Sequence, residues 1–448
     1  MRRALPIAVA IFLAGTASYL LSRLEAHETP RAEGASAALI ADAGPPTALA
    51  EIDRNIAFYQ ERAEATPRAW MDFEYVASGY MARARLTGDY NDWRRAEDAI
   101  EASFRSVGYS FGPYITRATF NATMHRYDRV EADLDAAEHG LLRLSDSDAV
   151  QSLRTDTRYY TGRYAEALER YDAQLVRSHR GLEDLVLLAQ LDWHTGHFDE
   201  AVGLLDEAAQ ARGSSRATVR AWVLMMRATM ERDRARYDDA LAAIESARDA
   251  VPDDPHRDEL EAEIHELRGE DDEALRLFRA LAASSSSPQA IDGVARILAR
   301  RGDEVAANEL VALARQTYET QIALFPEAAY GHAIDHWLRL EADDVDRMIT
   351  IAEGNALARP YGETRTKLAM AYLLAHRVAD ARRELDAVLA TEWTTAELHA
   401  VNAITLAREG RDATAEEAAA EAIAPGVMDR FAWLTDGSTS GSRAAGAW

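Results

Sequence analysis

The amino-acid sequence predicts an all-α protein, an α-solenoid of stacked antiparallel helix pairs. Three observations carry this expectation. The string Tyr160-Thr-Gly162-Arg-Tyr164-Ala-Glu-Ala167 returns as His194-Thr-Gly196-His-Phe198-Asp-Glu-Ala201, with the glycines 34 residues apart. A fixed period of that length marks stacked helix–turn–helix units. Alanines recur at fixed distances on either side of each such turn. Apolar residues form 48% of the 448-residue chain, enough for a continuous core. An array in which each unit touches only its neighbours is not limited by the size of one compact core.

The elements follow in chain order. Arg2 and Arg3 precede an apolar stretch, Ala4 to Leu21, broken only by Gly15, Thr16, Ser18 and Tyr19. Residues 1–24 therefore read as a signal peptide, cleaved after Ser18 or Ala26, or as an N-terminal transmembrane anchor. Either way the positive charge stays inside and the rest of the chain is exported. No later stretch is long and apolar enough to span again. Residues 25–47 read as a flexible linker, in which Gly44-Pro45-Pro46 forbids a helix. Helical patterning begins at Ala48, with Ile52, Ile56 and Tyr59 on one face.

From there the inter-helix turns fall at Gly88, His125, Gly162, Gly196, Ala235, Gly269, Gly302, Ala342, His376 and Gly410, in steps of 33 to 40 residues. In the first unit, Gly88-Asp-Tyr-Asn-Asp-Trp93 reads as carrying extra turn residues. Seven residues before the turn stand Ala118, Ala189, Ala228, Ala262, Ala295, Ala369 and Ala403. Five residues after it stand Ala167, Ala201, Ala240, Ala274, Ala307, Ala381 and Ala415. Small side chains there let two antiparallel helices cross closely. Nine residues after the turn come larger ones: Leu134, Tyr171, Leu205, Ile244, Phe278, Val311, Ile351 and Leu385. Twelve after it, Ala137, Ala208, Ala247, Ala314 and Ala422 let the next pair dock. The unit turning at Ala342 departs most, because Asp335 and Arg347 occupy its two crossing positions. The array spans residues 48–424 as about ten helix pairs. Residues 425–448 read as a C-terminal cap, built on Phe431, Trp433 and Leu434, and a flexible tail through Gly437-Ser-Thr-Ser-Gly441.

On these residues the chain resembles the tetratricopeptide repeat (TPR) family. Gly162/Tyr164/Ala167/Tyr171 and Gly196/Phe198/Ala201/Ala208 match the family's second helix, and Tyr237/Ala240/Ala247/Pro252 matches its repeat end. The consensus Trp, Leu and Gly of the first helix are mostly missing. The resemblance implies a right-handed superhelix whose first helices line a concave groove for extended peptides or partner helices. The family's two-carboxylate clamp would need Lys, Arg and Asn. The matching positions are Ser152, Asp156, Val186, Gln190, Met225 and Thr229, so recognition of a chaperone C-terminus is not expected.

Composition narrows the partners. Seventy-five acidic against fifty basic residues give a net charge of −25. Such a surface repels nucleic acid and anionic lipid, whose binding rests on cations. It serves solubility, or it suits a basic partner. Lys367 is the only lysine, which reads as codon bias. The absence of Cys excludes disulfides, thiolate zinc sites, thiol nucleophiles and an acylated N-terminal cysteine. No phosphate loop, nucleophile elbow or dinucleotide fingerprint appears, so neither enzymatic activity nor a cofactor or metal is expected.

Two sets of residues are candidates for binding. Tyr159, Trp193, Trp222, Met225 and Met226 lie on first helices of consecutive central units. They form either an adaptable groove floor for a peptide or ordinary core. His332 and His336 sit four apart on one helix, with Asp335 between them. That string resembles the His-x-x-Glu-His motif of inverted zinc peptidases, with Asp for Glu, and offers a groove contact or helix packing as alternatives. The expected function is an exported, membrane-tethered scaffold that binds proteins or peptides in a bacterial envelope assembly. It would sit at the inner membrane facing the periplasm, or be periplasmic or secreted if the signal is cleaved. The rival readings are a metal-dependent hydrolase using the His332–His336 segment and a self-associating structural protein.

Overall fold

The structure, a computed structural model, describes residues 48–66, 70–108, 112–139, 148–167, 169, 181–211, 217–251, 254–285 and 287–435. The N-terminal segment 1–24, the linker 25–47, the tail from 436, Tyr171 and Pro252 lie outside the described residues. Every regular element among the described residues is helical. No helix among them is long and apolar enough to cross a membrane.

In chain order the helices are α1 (Ala48–Ala65), α2 (Trp70–Thr87), α3 (Tyr90–Val107), α4 (Tyr114–Thr123), α5 (Tyr127–His139), α6 (Asp148–Tyr160), α7 (Leu182–His194), α8 (Phe198–Gln210), α9 (Ala217–Asp233) and α10 (Tyr237–Ala250). Then follow α11 (Pro255–Leu267), α12 (Asp271–Ser284), α13 (Pro288–Arg300), α14 (Glu304–Leu324), α15 (Pro326–Arg339), α16 (Val345–Ala358), α17 (Gly362–Leu374), α18 (Val378–Leu389), α19 (Ala396–Arg408), α20 (Thr414–Ile423) and α21 (Val427–Arg430). Consecutive helices pack as pairs, which is the TPR-like α-solenoid architecture. The chain forms two compact units: residues to Thr123 with Asp128–Asp156, and Met124–Tyr127 with Thr157 onward.

In the first unit, α2 packs on both α1 and α3. Arg83 on α2 forks onto both Asp92 oxygens at 2.7 Å and reaches Asp53 on α1 at 2.8 Å. Arg117 on α4 forks onto Asp133 on α5, with its guanidinium 4.0 Å from the centre of the Phe104 ring. The turn at Gly88 is as short as the others. Asp89 caps α3, accepting from the Asn91 amide, so no extra turn residues are present.

In the second unit the turns repeat one geometry. Gly162, Gly196, Gly269, Gly302 and Gly410 have φ of 71 to 86°, and Ala235 and His376 have 58 and 57°. This left-handed residue lets the next N–H reach back to the carbonyl five residues earlier. His197 donates to Asp192 at 2.8 Å, Glu270 to His265 at 2.9 Å and Arg377 to Tyr372 at 2.7 Å. The crossing alanines are fully buried, as at Ala189, Ala201, Ala228, Ala240, Ala262 and Ala274, all 0% exposed. A bulky side chain has no room there. Ala240→Leu is expected to cost about 1–3 kcal/mol of stability in urea unfolding. Ala415, five residues after Gly410, tests the same frame from outside. Helix α20 starts at Thr414, two residues later than in other units, so Ala415 is exposed. Ala415→Leu is expected to change stability by less than about 0.5 kcal/mol.

The longest step of the frame, from Gly302 to Ala342, is not a loop. Helix α14 simply runs to 21 residues. After α15 no residue adopts the left-handed turn conformation, and α16 starts at Val345. Counted from that start, the frame shifts by one residue. His336 and Met348, 1% and 0% exposed, take the crossing positions. Asp335 and Arg347 lie beside them. Asp335 faces Lys367, and Arg347 pairs with Glu319 at 2.6 Å.

The second unit also makes contacts that a linear stack does not. Three successive turns dock on chain about 200 residues further on. His125 Nδ1 donates to the Glu327 carbonyl at 2.9 Å, since a carbonyl can only accept. Arg126 lies 5.2 Å above the Phe325 ring. The Tyr164 hydroxyl accepts from the Gly362 amide at 2.8 Å, and the Thr394 amide donates to the His194 carbonyl at 2.7 Å. The His194 ring stacks on Trp393 at 4.0 Å and 16°. Tyr159, Tyr160, Tyr164, Tyr361 and Trp393 pack between these points, each 4 to 8% exposed. A Cβ on Gly162 would stand 2.7 Å from the Pro360 carbonyl oxygen, and one on Gly196 would stand 2.9 Å from Thr394 Cγ2. Glycine at these two turns serves the close approach as well as the turn.

Candidate functional site

The chemistry-bearing side chains of the second unit gather on first helices of successive pairs. Lys367 on α17 donates to Asp335 Oδ2 on α15 at 2.8 Å and lies 3.6 Å from Glu363 Oε1, one helical turn before it. Glu397 on α19 feels Lys367, Glu363, Asp335 and Arg339. Arg339 feels Arg296 on α13 and Glu266 on α11. His332 on α15 feels Arg359, Lys367 and also His256 on α11, two pairs back. The first helices of these pairs thus carry charged groups within electrostatic reach of one another. The second helices contribute none of these groups.

The members of the Lys367 cluster differ in exposure. The Asp335 and Glu363 side chains are 50% and 45% exposed, whereas Lys367 is 13% exposed. Desolvation is nevertheless the largest influence on all three. Burial pushes the Asp335 carboxyl up, but Lys367 and Arg339 outweigh it and hold it below the usual carboxylate range. Burial, reinforced by Glu363 and Asp335 against Lys367, raises Glu397 to about 7. Burial and the neighbouring Glu263 raise Glu259 on α11 to about 8. Burial and Arg359 lower His332 to about 4, so its imidazole is neutral at neutral pH.

The candidates read from sequence separate in the structure. Tyr159 is 4% exposed among the docked aromatics, with its hydroxyl on His194 Nδ1. Trp193 sits edge-on to Phe198 at 5.0 Å and is 5% exposed. Trp222 and Met226 are 7% and 5% exposed. Met225 packs against Ala228, Ala240, Ile244 and Leu260. These side chains fill helix interfaces and leave little for a groove floor, because close pairs must bury their largest apolar groups.

The two histidines part as well. His332 joins the Lys367 cluster. His336 Nδ1 lies 2.9 Å from Asp292 Oδ1, and its Nε2 faces Glu341 Oε2 at 3.7 Å. Tyr318 donates to the other Asp292 oxygen at 3.0 Å. Burial opposes the charged imidazolium, yet Asp292 and Glu341 outweigh it and raise His336 to about 9. His336 thus turns to Asp292 and Glu341, while His332 faces the Lys367 cluster, so the two imidazoles share no common set of partners. Among the described residues no group of three His, Asp or Glu side chains has the geometry to hold an ion. Sequence reasoning missed Lys367, Glu363 and Glu397. The one available signal was that a chain with 50 basic residues keeps a single lysine there.

No protein-family profile matches the sequence, and no curated protein matches it. Solved structures with a similar arrangement include the Cut9–Hcn1 hetero-tetramer of the APC/C, at 14% identity over 90% of this chain and 76% of that one, with a TM-score of 0.41. A tetratricopeptide repeat protein from Parabacteroides merdae is similar at 16% identity over 57% of this chain and 98% of its own, with a TM-score of 0.34. A Rap protein complexed with Competence and Sporulation Factor is similar at 13% identity over 76% and 95%, with a TM-score of 0.43.

Proposed function

We propose that this chain is a non-enzymatic scaffold whose inner first-helix face holds an extended, basic segment of a partner protein. The observation that carries the reading is the asymmetry of exposure in the Lys367 cluster. Its carboxylates, Asp335 and Glu363, are half open to solvent, while its ammonium is turned in. A ligand entering that space meets carboxylate oxygens first. Glu397 and Glu259, raised to about 7 and about 8, lack full compensation by the protein's own cations. An incoming Arg or Lys side chain supplies it, and such a ligand also suits the net charge of −25.

The test is calorimetric titration with a peptide of alternating Arg and Gly. A cation that settles beside Glu397 stabilises its ionised form, so binding near neutral pH releases protons. The measured enthalpy should then vary with the ionisation enthalpy of the buffer, and the variation should vanish well above the raised value of about 8. Asp335→Asn with Glu363→Gln should weaken binding about tenfold, since close charge pairs contribute on the order of 1.5 kcal/mol or more. Binding without proton release, or binding unaffected by the double substitution, would place the ligand elsewhere.

The compartment forms part of the proposal. Arg2-Arg3 ahead of the apolar stretch Ala4–Leu21 supports export, with the array presented to partners in a bacterial envelope assembly from a membrane tether or as a released protein. N-terminal sequencing of protein recovered from membrane and soluble fractions decides between tether and release. Recovery of the uncut chain only from the cytoplasm would remove the export reading.

A further inference from the structure

The docked turns of the second unit form an internal interface, and we infer that this interface is a gate on the inner face. The inference rests on the partner-binding reading above and assigns how the partner enters.

A helix-pair array holds together through nearest-neighbour contacts alone. The contacts of His125, Arg126, Gly162, Tyr164 and His194 with Phe325, Glu327, Pro360, Gly362, Trp393 and Thr394 are additional to these. They come from inter-helix turns and the helix ends beside them, and from the starts of α15, α17 and α19 with the segments before them. They can therefore part while every pair stays folded, the behaviour of a local opening unit. Closed, they join the early and late pairs of the unit across about 200 residues and wrap the array around its first-helix face.

Two residues belong to both the interface and the binding cluster. Arg359, 5% exposed, lies 5.6 Å from the Tyr361 ring centre, and it also acts on His332 and Glu363. Glu363 accepts from the Tyr361 hydroxyl on one side and faces Lys367 on the other. A cation drawn to Glu363 competes with this arrangement, so occupancy of the inner face and the state of the interface are linked. A segment from the middle of a partner chain cannot thread past folded ends. It enters through the opened interface and is retained when the interface closes.

The chain has no cysteine, which makes the test direct. Gly196→Cys with Thr394→Cys places two thiols at the contact itself: a Cβ on residue 196 lies 2.9 Å from Thr394 Cγ2, a carbon that the second substitution removes, so the two side chains face each other where the disulfide is to form. The probe is the Arg-Gly peptide carrying a small folded domain at each end. Oxidation should slow release of the preloaded probe by about tenfold or more, with reduction restoring it. Equal release from oxidised and reduced protein would overturn the gate.

A second variant pair works in the opposite sense. Gly162→Arg drives a side chain against the Pro360 carbonyl, whereas Gly269→Arg has the same turn conformation, with φ of 76° against 73°, and nothing within 4 Å of its Cβ. Only Gly162→Arg should speed release. Equal rates in the two variants would count against the gate.

Hydrogen exchange reads the gate without any ligand. The Gly362 and Thr394 amides should exchange faster than the amides inside α17 and α19. Exchange of those two amides only through global unfolding would also overturn the gate. If the probe binds neither form while these amides do open early, the partner reading fails and the gate stands.

Discussion

Asp292→Ala is expected to remove about 3–5 kcal/mol from the stability of the second unit, because it leaves a buried charge without its partner. Asp292, Tyr318 and His336 are 3%, 1% and 1% exposed. They tie α13, α14 and α15 together through one carboxylate that accepts from both other side chains. His336 is raised from 6.5 to about 9, a shift worth about 3 kcal/mol of preference for the charged form. The sign fixes the pH dependence. A base with a raised folded-state value stabilises fully below its unfolded value of 6.5 and loses that contribution as pH rises through about 9. The wild type should therefore lose stability across that window, and the Asp292→Ala variant much less, so the two urea midpoints converge at high pH. An unchanged gap above 9 would mean that the network is held by packing and not by charge. Histidines with lowered values act at the other end. His194 and His332, both lowered to about 4 by burial, contribute nothing above 6.5 and destabilise the fold as pH falls below it.

Trp337→Ala is expected to cost about 3–5 kcal/mol, the range for deleting a large buried aromatic. Trp337 is 0% exposed and sits 6.0 Å from the Tyr318 ring and 4.8 Å from His336. Its Nε1 has no hydrogen-bond partner among the described residues. Trp337→Phe keeps most of the buried surface and discards that unpaired donor, so its cost should stay below about 1.5 kcal/mol. A Phe variant as unstable as the Ala variant would show that the indole ring's shape, and not its burial, holds this unit.

The legible part of the fold is the part that obeys the repeat. A turn residue with positive φ, a small residue seven before and another five after are local demands, so they can be read wherever Gly162, Gly196 or Gly269 stands. The unit at Ala342 reads wrongly by one residue because its turn does without a left-handed residue. His336 then fills an alanine's place and needs Asp292 from another pair to carry its charge. The interior cluster was legible only as an oddity of composition. Lys367 and Glu363 stand one turn apart on α17, but Asp335 and Glu397 come from the pairs before and after it, and nothing in the repeat frame marks these positions as neighbours. The docked turns were hidden for the same reason. Gly162 and Gly196 look like every other turn glycine, and their second role depends on Pro360 and Thr394, about 200 residues away.

The most direct measurement of where a partner lies uses the absence of cysteine. Single thiols at Glu397→Cys, on the inner face, and Leu357→Cys, on a second helix with 85% of the leucine exposed, each carry a photo-cross-linker in otherwise identical protein. The binding account expects the Arg-Gly peptide to be captured at position 397 and not at 357. Capture at 357 alone, or equally at both, would contradict it.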